Sequence, residues 1–350
     1  MRHDTPQYGL IAKGLAGAPW APGIDWDWER TVQVAAREEV LPILHGKLTC
    51  PPEISDFFEA IHELNAERNR QLLREVETLA SLLNQTGIEP VLLKGLAYLV
   101  TGVYPDPADR LLRDIDLLVS PDQSEQAFEI IRGSGYEPRV PNPTVLVRHH
   151  HPALGQDGHV PVEIHHSLGL GACRTFLTAA EIIDSSTPVK LGGAKVRIPC
   201  PEHLMTHLII HSQMQHDSYD RIWPSLRAMY DLVTLGRRFT VEWDAVRRRF
   251  GSHHKVALLN LHLLQVEKAL GIPPPFAISG GGIRWWYRQV LWREPRLRYV
   301  DPLFMFSRKV LPAIHLLRPL LRHPVGRKYL FLTPFRASFY KKLLRDIVDV

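Results

Sequence analysis

Apolar residues recur at helical spacing along residues 26–47 and again along 54–85, where "DFFEAIHELNAERNRQLLREVETLASLLNQTG" runs through strong helix formers to a closing Gly87. The spacing predicts an N-terminal helical layer. The period then shortens. "IEPVLLKG" (88–95) reads as a strand, "LAYLVTGV" (96–103) as a short helix, "YPDPADR" (104–110) as a proline-broken loop, "DIDLLVS" (114–120) as a strand, and "PDQSEQAFEIIRGSG" (121–135) as a helix opened by proline and closed by glycine. "TVLVRHHH" (144–151) and "HVPVEIHHSL" (159–168) read as two strands joined by the turn-rich "PALGQDG", and "VKLGGAKVRI" (189–198) as a hairpin around Gly192-Gly193. From Pro201 the helical period returns, over 201–215, 223–238, 240–251 and 254–271. "IPPPFAISGGG" (272–282) is the clearest linker.

This pattern predicts an α+β fold in four parts. A helical layer (1–87) precedes a small mixed-sheet core (88–200), followed by a helical domain (201–271) and a linker with a basic, aromatic-rich helical tail (272–350). A chain of 350 residues, 45% of them hydrophobic, is long enough to bury such a core. No apolar run approaches a membrane span, and the start lacks the apolar stretch of a secretory signal. Cys50, Cys173 and Cys200 are odd in number and widely separated, which argues against a disulfide framework or a thiolate zinc site. A reducing cytoplasm is the expected compartment.

Charge is unevenly distributed. Residues 1–220 carry 18 basic against 29 acidic side chains, and residues 221–350 carry 24 against 8, within an overall +5. Trp285, Trp286, Tyr287 and Trp292 lie among the arginines of the tail. Such a composition suits an anionic partner, nucleic acid or membrane, and equally suits helices with core aromatics and a solvated basic face.

The chemistry concentrates in "RDIDLLV". Strand alternation sets Asp114 and Asp116 on one face, about 6.6–7 Å apart, and leaves Ile115 for the other. Two like charges at the edge of a core call for a cation, most naturally a divalent metal with oxygen ligands. Glu163 in "VPVEIHH" alternates likewise and offers a third carboxylate. Three carboxylates on adjacent strands can hold two Mg2+ ions for in-line nucleotidyl transfer. The plainer reading of Asp-x-Asp is a solvated strand end. Upstream, Lys94-Gly95 falls where a strand meets a helix, a place suited to phosphate. His203, His207 and His211 recur every four residues and share a helix face, with His216 nearby. That spacing allows zinc, but structural histidines facing the sheet are the simpler reading.

The run from "VLLKG" through "RDIDLLV", with "PVEIHHSL" after it and "PEHLMTHLIIHSQMQH…MYDL" beyond, resembles the bacterial nucleotidyltransferase-like proteins of the DNA polymerase β superfamily. The likeness is to the branch marked by Leu-Lys-Gly, Arg-x-x-x-Asp-Ile-Asp-Leu-Leu-Val and an acid just before a histidine, and it covers about residues 70–240. The resemblance implies that Asp114, Asp116 and Glu163 are metal ligands and catalytic acids, for Mg2+ (two ions) or Mn2+. It implies that Lys94, Gly95, Arg110 and Arg113 meet the phosphates of an NTP donor, Arg110 by bidentate contacts, and that His165, His211 and Asp231 border the cleft of donor or acceptor. Lys-Gly stands where the superfamily has Gly-Ser, and glutamate where aspartate is usual. The reaction so implied moves a nucleoside monophosphate to a small molecule, glycan precursor or peptide. Its rivals are a catalytically silent binding protein and a transferase acting on a phosphorylated peptide or sugar.

Overall fold

The computed structural model describes residues 6–18, 25–139, 150–169, 176–215, 225–252 and 255–278. Three helices form the N-terminal layer: α1 (Pro6–Ala16), α2 (Trp28–Arg37) and α3 (Pro52–Asn84). Asp27 caps α2 by accepting from the Arg30 amide at 2.8 Å. The helical period runs on to residue 47, but the helix stops at Arg37. Glu39 takes a left-handed backbone at φ 58°, and Pro42 opens a separate 3-10 turn, Pro42–Leu44. α3 opens on Pro52 at its first turn, where the missing amide costs nothing. Its buried positions, Phe58, Asn65, Asn69, Leu72, Val76, Leu79, Ala80 and Leu83, follow one helical stripe.

Two members of that stripe are polar because they hold a loop. Asn65 donates to the Ala108 carbonyl at 2.6 Å, and Asn69 donates to the carbonyls of Pro107 and Arg110 at 2.7 and 2.8 Å. The proline-broken segment 104–110 is thereby fixed to α3 without a secondary structure of its own beyond the turn Pro107–Asp109.

The strands are β1 (Val91–Leu92), β2 (Ile115–Leu118), β3 (Glu137–Pro138), β4 (Leu154–Gly155), β5 (Val162–His165), β6 (Thr187–Leu191) and β7 (Ala194–Ile198). They form one mixed sheet in the order β3-β4-β5-β2-β1-β7-β6. β2 lies parallel to β5 and antiparallel to β1, and β1 lies parallel to β7. All four β2 residues are buried, as expected of a strand with neighbours on both sides and covered faces. α4 (Lys94–Val100) follows β1, and α5 (Ser124–Gly133) follows β2.

The sheet corrects several expected boundaries. Leu154–Gly155, read as turn, pairs as β4, because the chain beyond His150 returns antiparallel along β5. The second strand of that pair is shorter than expected, beginning at Val162. α4 begins at Lys94, two residues early. β3, α1 and α6 (Ala179–Ser185) carry patterns too short or too mixed to have been expected. Residues 144–149 of the other expected strand lie outside the described residues.

The helical module comprises α7 (Pro201–Ile210), α8 (Leu226–Arg238), α9 (Trp243–Ser252) and α10 (Val256–Leu270). α7 runs into a π-helical turn, His211–Gln215, where a regular helix was expected. α10 ends in Gly271 at φ 67°. α1 packs on α10, and α4 on α7, so one apolar core joins the layers. Of the expected linker, residues 272–278 are described, and Phe276 packs against Trp243 with ring centres 5.9 Å apart. Among the described residues no helix is long and apolar enough to cross a membrane. His216, Cys173 and the tail aromatics lie outside them.

Candidate functional site

The parallel register of β2 and β5 sets Asp116 directly beside Glu163, and Leu118 beside His165. Period-two alternation sends Asp116, Glu163 and His165 to one face of the sheet, while Ile115, Leu117, Val162 and Ile164 enter the core on the other. A ligand atom from each of Asp116, Glu163 and His165 lies within 4.8 Å of the other two, the one such group among the described residues. Asp114, one step before β2, faces the same charges. Its carboxyl is pushed up to about 6 by burial and by Asp116, against the pull of Lys94.

Asp116 is 2% exposed. Its Oδ1 accepts from Lys94 Nζ at 2.6 Å and lies 2.7 Å from His165 Nε2. Burial works against its charge, yet Lys94 and His165 hold its pKa well below the carboxylate range. Burial likewise opposes the charge of Glu163, whose pKa is lowered by His165, 3.4 Å from its Oε2. His165 is raised above its ordinary value: burial opposes its protonation, and the bonds to Asp116 and Glu163 overcome it. His150 sits 3.8 Å from Glu163, its ring 5.2 Å from that of His165. Three carboxylates against one lysine and one histidine leave net negative charge at neutral pH, which suits a divalent cation. The donors are mostly oxygen, as Mg2+ prefers, and the imidazole nitrogen brings the set closer to Mn2+. Two of the expected acids, Asp116 and Glu163, thus share one face, and His165 rather than Asp114 completes the tightest group.

Lys94 reaches Asp116 from an uncommon backbone. At φ 50° it is in the left-handed region, at a cost of about 1–2 kcal/mol for a side chain with a Cβ. Gly95 follows because a Cβ there would strike the Leu112 side chain and sit 3.2 Å from Arg110 Nη2. The glycine serves close packing at this turn.

On the other side of Lys94 lies a cavity of about 310 Å3 that contains Arg110, Arg113, His207, His211, Arg227 and Asp231 in its wall. Arg110, 6% exposed, donates from Nε and Nη2 to the two oxygens of Asp231, at 2.8 Å each, and Tyr104 donates to Asp231 at 2.5 Å. The bidentate contact expected with a phosphate is made with Asp231, which ties the loop before β2 to α8. His207 is buried, and burial, Lys94 and His165 push it down to about 3. His207 and His211 face the cavity with ring centres 5.9 Å apart, whereas His203 leaves that face to bond Ser185 Oγ at 2.9 Å. The expected histidine face therefore holds for two of three. Of the histidines near β5, His151 stacks on Phe128 at 5.0 Å.

Glu39, Arg227 and Ser212 were not singled out from the sequence, and all three line this cavity. Arg227 stands four residues before Asp231 on α8, so the helical repeat carries a signal for it. Nothing in the sequence near Glu39 points across to residue 227.

Residues 25–271 match a family described as "Uncharacterised nucleotidyltransferase". No curated protein matches the chain. Among solved structures, an antigenic nucleotidyltransferase-like protein from Paracoccidioides brasiliensis is similar at 15% identity with a TM-score of 0.36, over 58% of this chain and 93% of that one.

Proposed function

The chain belongs to this family of uncharacterised nucleotidyltransferases, and from that premise we propose that it transfers a nucleoside monophosphate from an NTP to a hydroxyl or phosphate of an acceptor. Asp114, Asp116 and Glu163 would hold Mg2+ (two ions) or Mn2+. A metal bound there supplies charge neutralisation on the triphosphate and a lowered pKa for the attacking hydroxyl.

The chain's own residues do the rest. An acceptor oxygen attacks the α-phosphorus, the bond to the bridging oxygen breaks, and pyrophosphate leaves. Glu163, more exposed than Asp116 and kept ionised by His165, takes the acceptor proton. Lys94 and Arg113 face the phosphates, and Gly95 allows the turn that presents Lys94. His211 and Asp231 border the cavity in which the nucleoside or the acceptor lies.

The observation that carries this reading is the pairing of Asp116 with Glu163 across a parallel ladder, with Asp114 near enough to Asp116 to be raised by its charge and a cationic cavity adjoining. Calorimetry tests it. Mg2+-dependent NTP binding is expected in the native chain and is expected to vanish in Asp114→Asn with Asp116→Asn. Labelled NTPs incubated with a cell extract then identify donor and acceptor together, a phosphorylated peptide or sugar included. Undiminished NTP binding in the double variant rejects the assignment.

A second reading has one observation in its favour. Asp116 Oδ1 already takes Lys94 and has His165 within bonding distance, an arrangement that also suits a catalytically silent relative. An anionic partner would then bind through the basic C-terminal region (272–350), with affinity unchanged in the double variant.

A further inference from the structure

Arg113 and Arg227 come from different elements, one from the segment before β2 and the other from the first turn of α8, and both turn their guanidinium groups to a single carboxylate, Glu39. Arg113 Nη1 donates to Oε1 at 2.5 Å, and Arg227 Nη1 meets Oε2. Glu39 reaches them from a left-handed backbone, next to Glu38, whose Oε2 accepts from the Leu226 amide at 3.2 Å. The loop after α2 is thus pinned to the start of α8, and its next residue is delivered to the cavity mouth.

Other charges around the cavity have their own partners. Lys94 is engaged by Asp116 and Arg110 by Asp231. Arg113 and Arg227 share Glu39 as their ion-pair partner, and Asp231 lies near Arg227 as a second acid. Among the described residues, two polar groups on the same wall lack hydrogen-bond partners. They are the Nε of Arg227 and the Oγ of Ser212, a residue 4% exposed. Arg68 of α3, with a buried Nη1 that likewise has none, lies outside this wall and near both Arg113 and Asp114. Donors left unsatisfied in a 310 Å3 cavity await an acceptor with several oxygens.

We propose that Arg113, Arg227 and Ser212 form a phosphate subsite, and that Glu39 is an intramolecular stand-in that the phosphate must displace. A carboxylate bridging two arginines occupies the place of two phosphate oxygens, and a phosphate group adds a third for Ser212. The anion's identity as a nucleotide or acceptor phosphate rests on the nucleotidyl-transfer reading, but the subsite needs no metal and none of the three acids. The N-terminal layer then sets the affinity of the site, since moving the loop after α2 removes the competing charge.

The test uses the full chain and inorganic tripolyphosphate in EDTA, followed by calorimetry. Glu39→Gln is expected to bind at least tenfold more tightly than the native chain. Arg113→Gln and Arg227→Gln are expected to bind at least tenfold more weakly, and the double Asn variant of Asp114 and Asp116 no more weakly than native. Should Glu39→Gln fail to fold, Glu39→Asp, whose shorter arm cannot bridge both arginines, is expected to shift affinity the same way. Unchanged or weaker binding in the folded Glu39 variant, or native affinity in both arginine variants, overturns the proposal. Displacement of tripolyphosphate by Mg-ATP assigns the subsite to the donor and simultaneous binding to the acceptor, and both outcomes support it. Loss of metal-dependent NTP binding with tripolyphosphate binding intact counts against nucleotidyl transfer alone.

Discussion

Replacing Asp231 by asparagine tests whether Arg110 is a structural tie or a free phosphate fork. In the native chain the Asp231 carboxylate accepts two guanidinium bonds and the Tyr104 hydroxyl, with both partners of the ion pair almost wholly enclosed. Asparagine preserves the shape and one acceptor oxygen, but it removes the charge and turns an amide NH2 toward the guanidinium. An uncompensated buried cation costs about 3–5 kcal/mol. The retained oxygen returns roughly 1 kcal/mol, so a loss of about 3 kcal/mol is expected. With a urea dependence of about 3 kcal/mol per molar, the unfolding midpoint falls by roughly 1 M. Arg110→Leu combined with Asp231→Leu removes both charges together and is expected to cost at least ~2 kcal/mol less than the sum of the single changes. Urea titrations followed by tryptophan fluorescence give all four values. A cost below about 1 kcal/mol for Asp231→Asn, together with additivity in the double variant, would refute the tie and free Arg110 for phosphate.

Other expectations follow from single residues. His262 is completely buried and burial pushes it down to about 4, so between pH 6.5 and 4 the unfolded chain binds a proton that the folded chain refuses. Stability is therefore full above pH 6.5 and falls as pH drops through that window, by about 3 kcal/mol in all. His262→Gln is expected to flatten the pH dependence of the urea midpoint by about one proton, and an unaltered slope contradicts this. Gly95→Ala drives a methyl into Leu112 and is expected to lower stability by about 1–3 kcal/mol, read as a fall in Tm by scanning calorimetry; a native Tm would show that the turn has room.

Much of the site was legible because a strand reports its faces in single-residue steps. Asp116 and Glu163 could be put on the polar side of their strands from alternation alone, and their neighbours Ile115, Leu117 and Ile164 are core residues in the structure, whereas His165 was expected at the cleft only through the family resemblance. Alternation says nothing of which strands pair. The 116-to-163 register arises from tertiary packing, and with it the substitution of His165 for Asp114 in the tightest group. Arg110 shows a different limit. Its position in the motif marks it as important, but the partner that fixes its role lies 121 residues away on α8. Helix 26–47 was overextended because Val40 and Leu44 keep the apolar period going after Glu39 has left the helical backbone. The polar members of the α3 stripe, Asn65 and Asn69, break the apolar pattern, and only the loop they bind explains them.

α3 has a consequence for anyone wishing to trim the protein. Over its 33 residues, about 50 Å, it touches the loop behind Arg110 through Asn65 and Asn69, Tyr136 through Glu75 at 2.6 Å, the Gly193 amide through Glu77 at 2.7 Å, and both backbone groups of Lys195 through Asn84. It is a splint laid across the whole sheet, from the turn of one edge hairpin to the far side. A truncation that starts at residue 88 to isolate the sheet would strip every one of those fastenings at once, so the shortest fragment worth expressing begins ahead of Pro51.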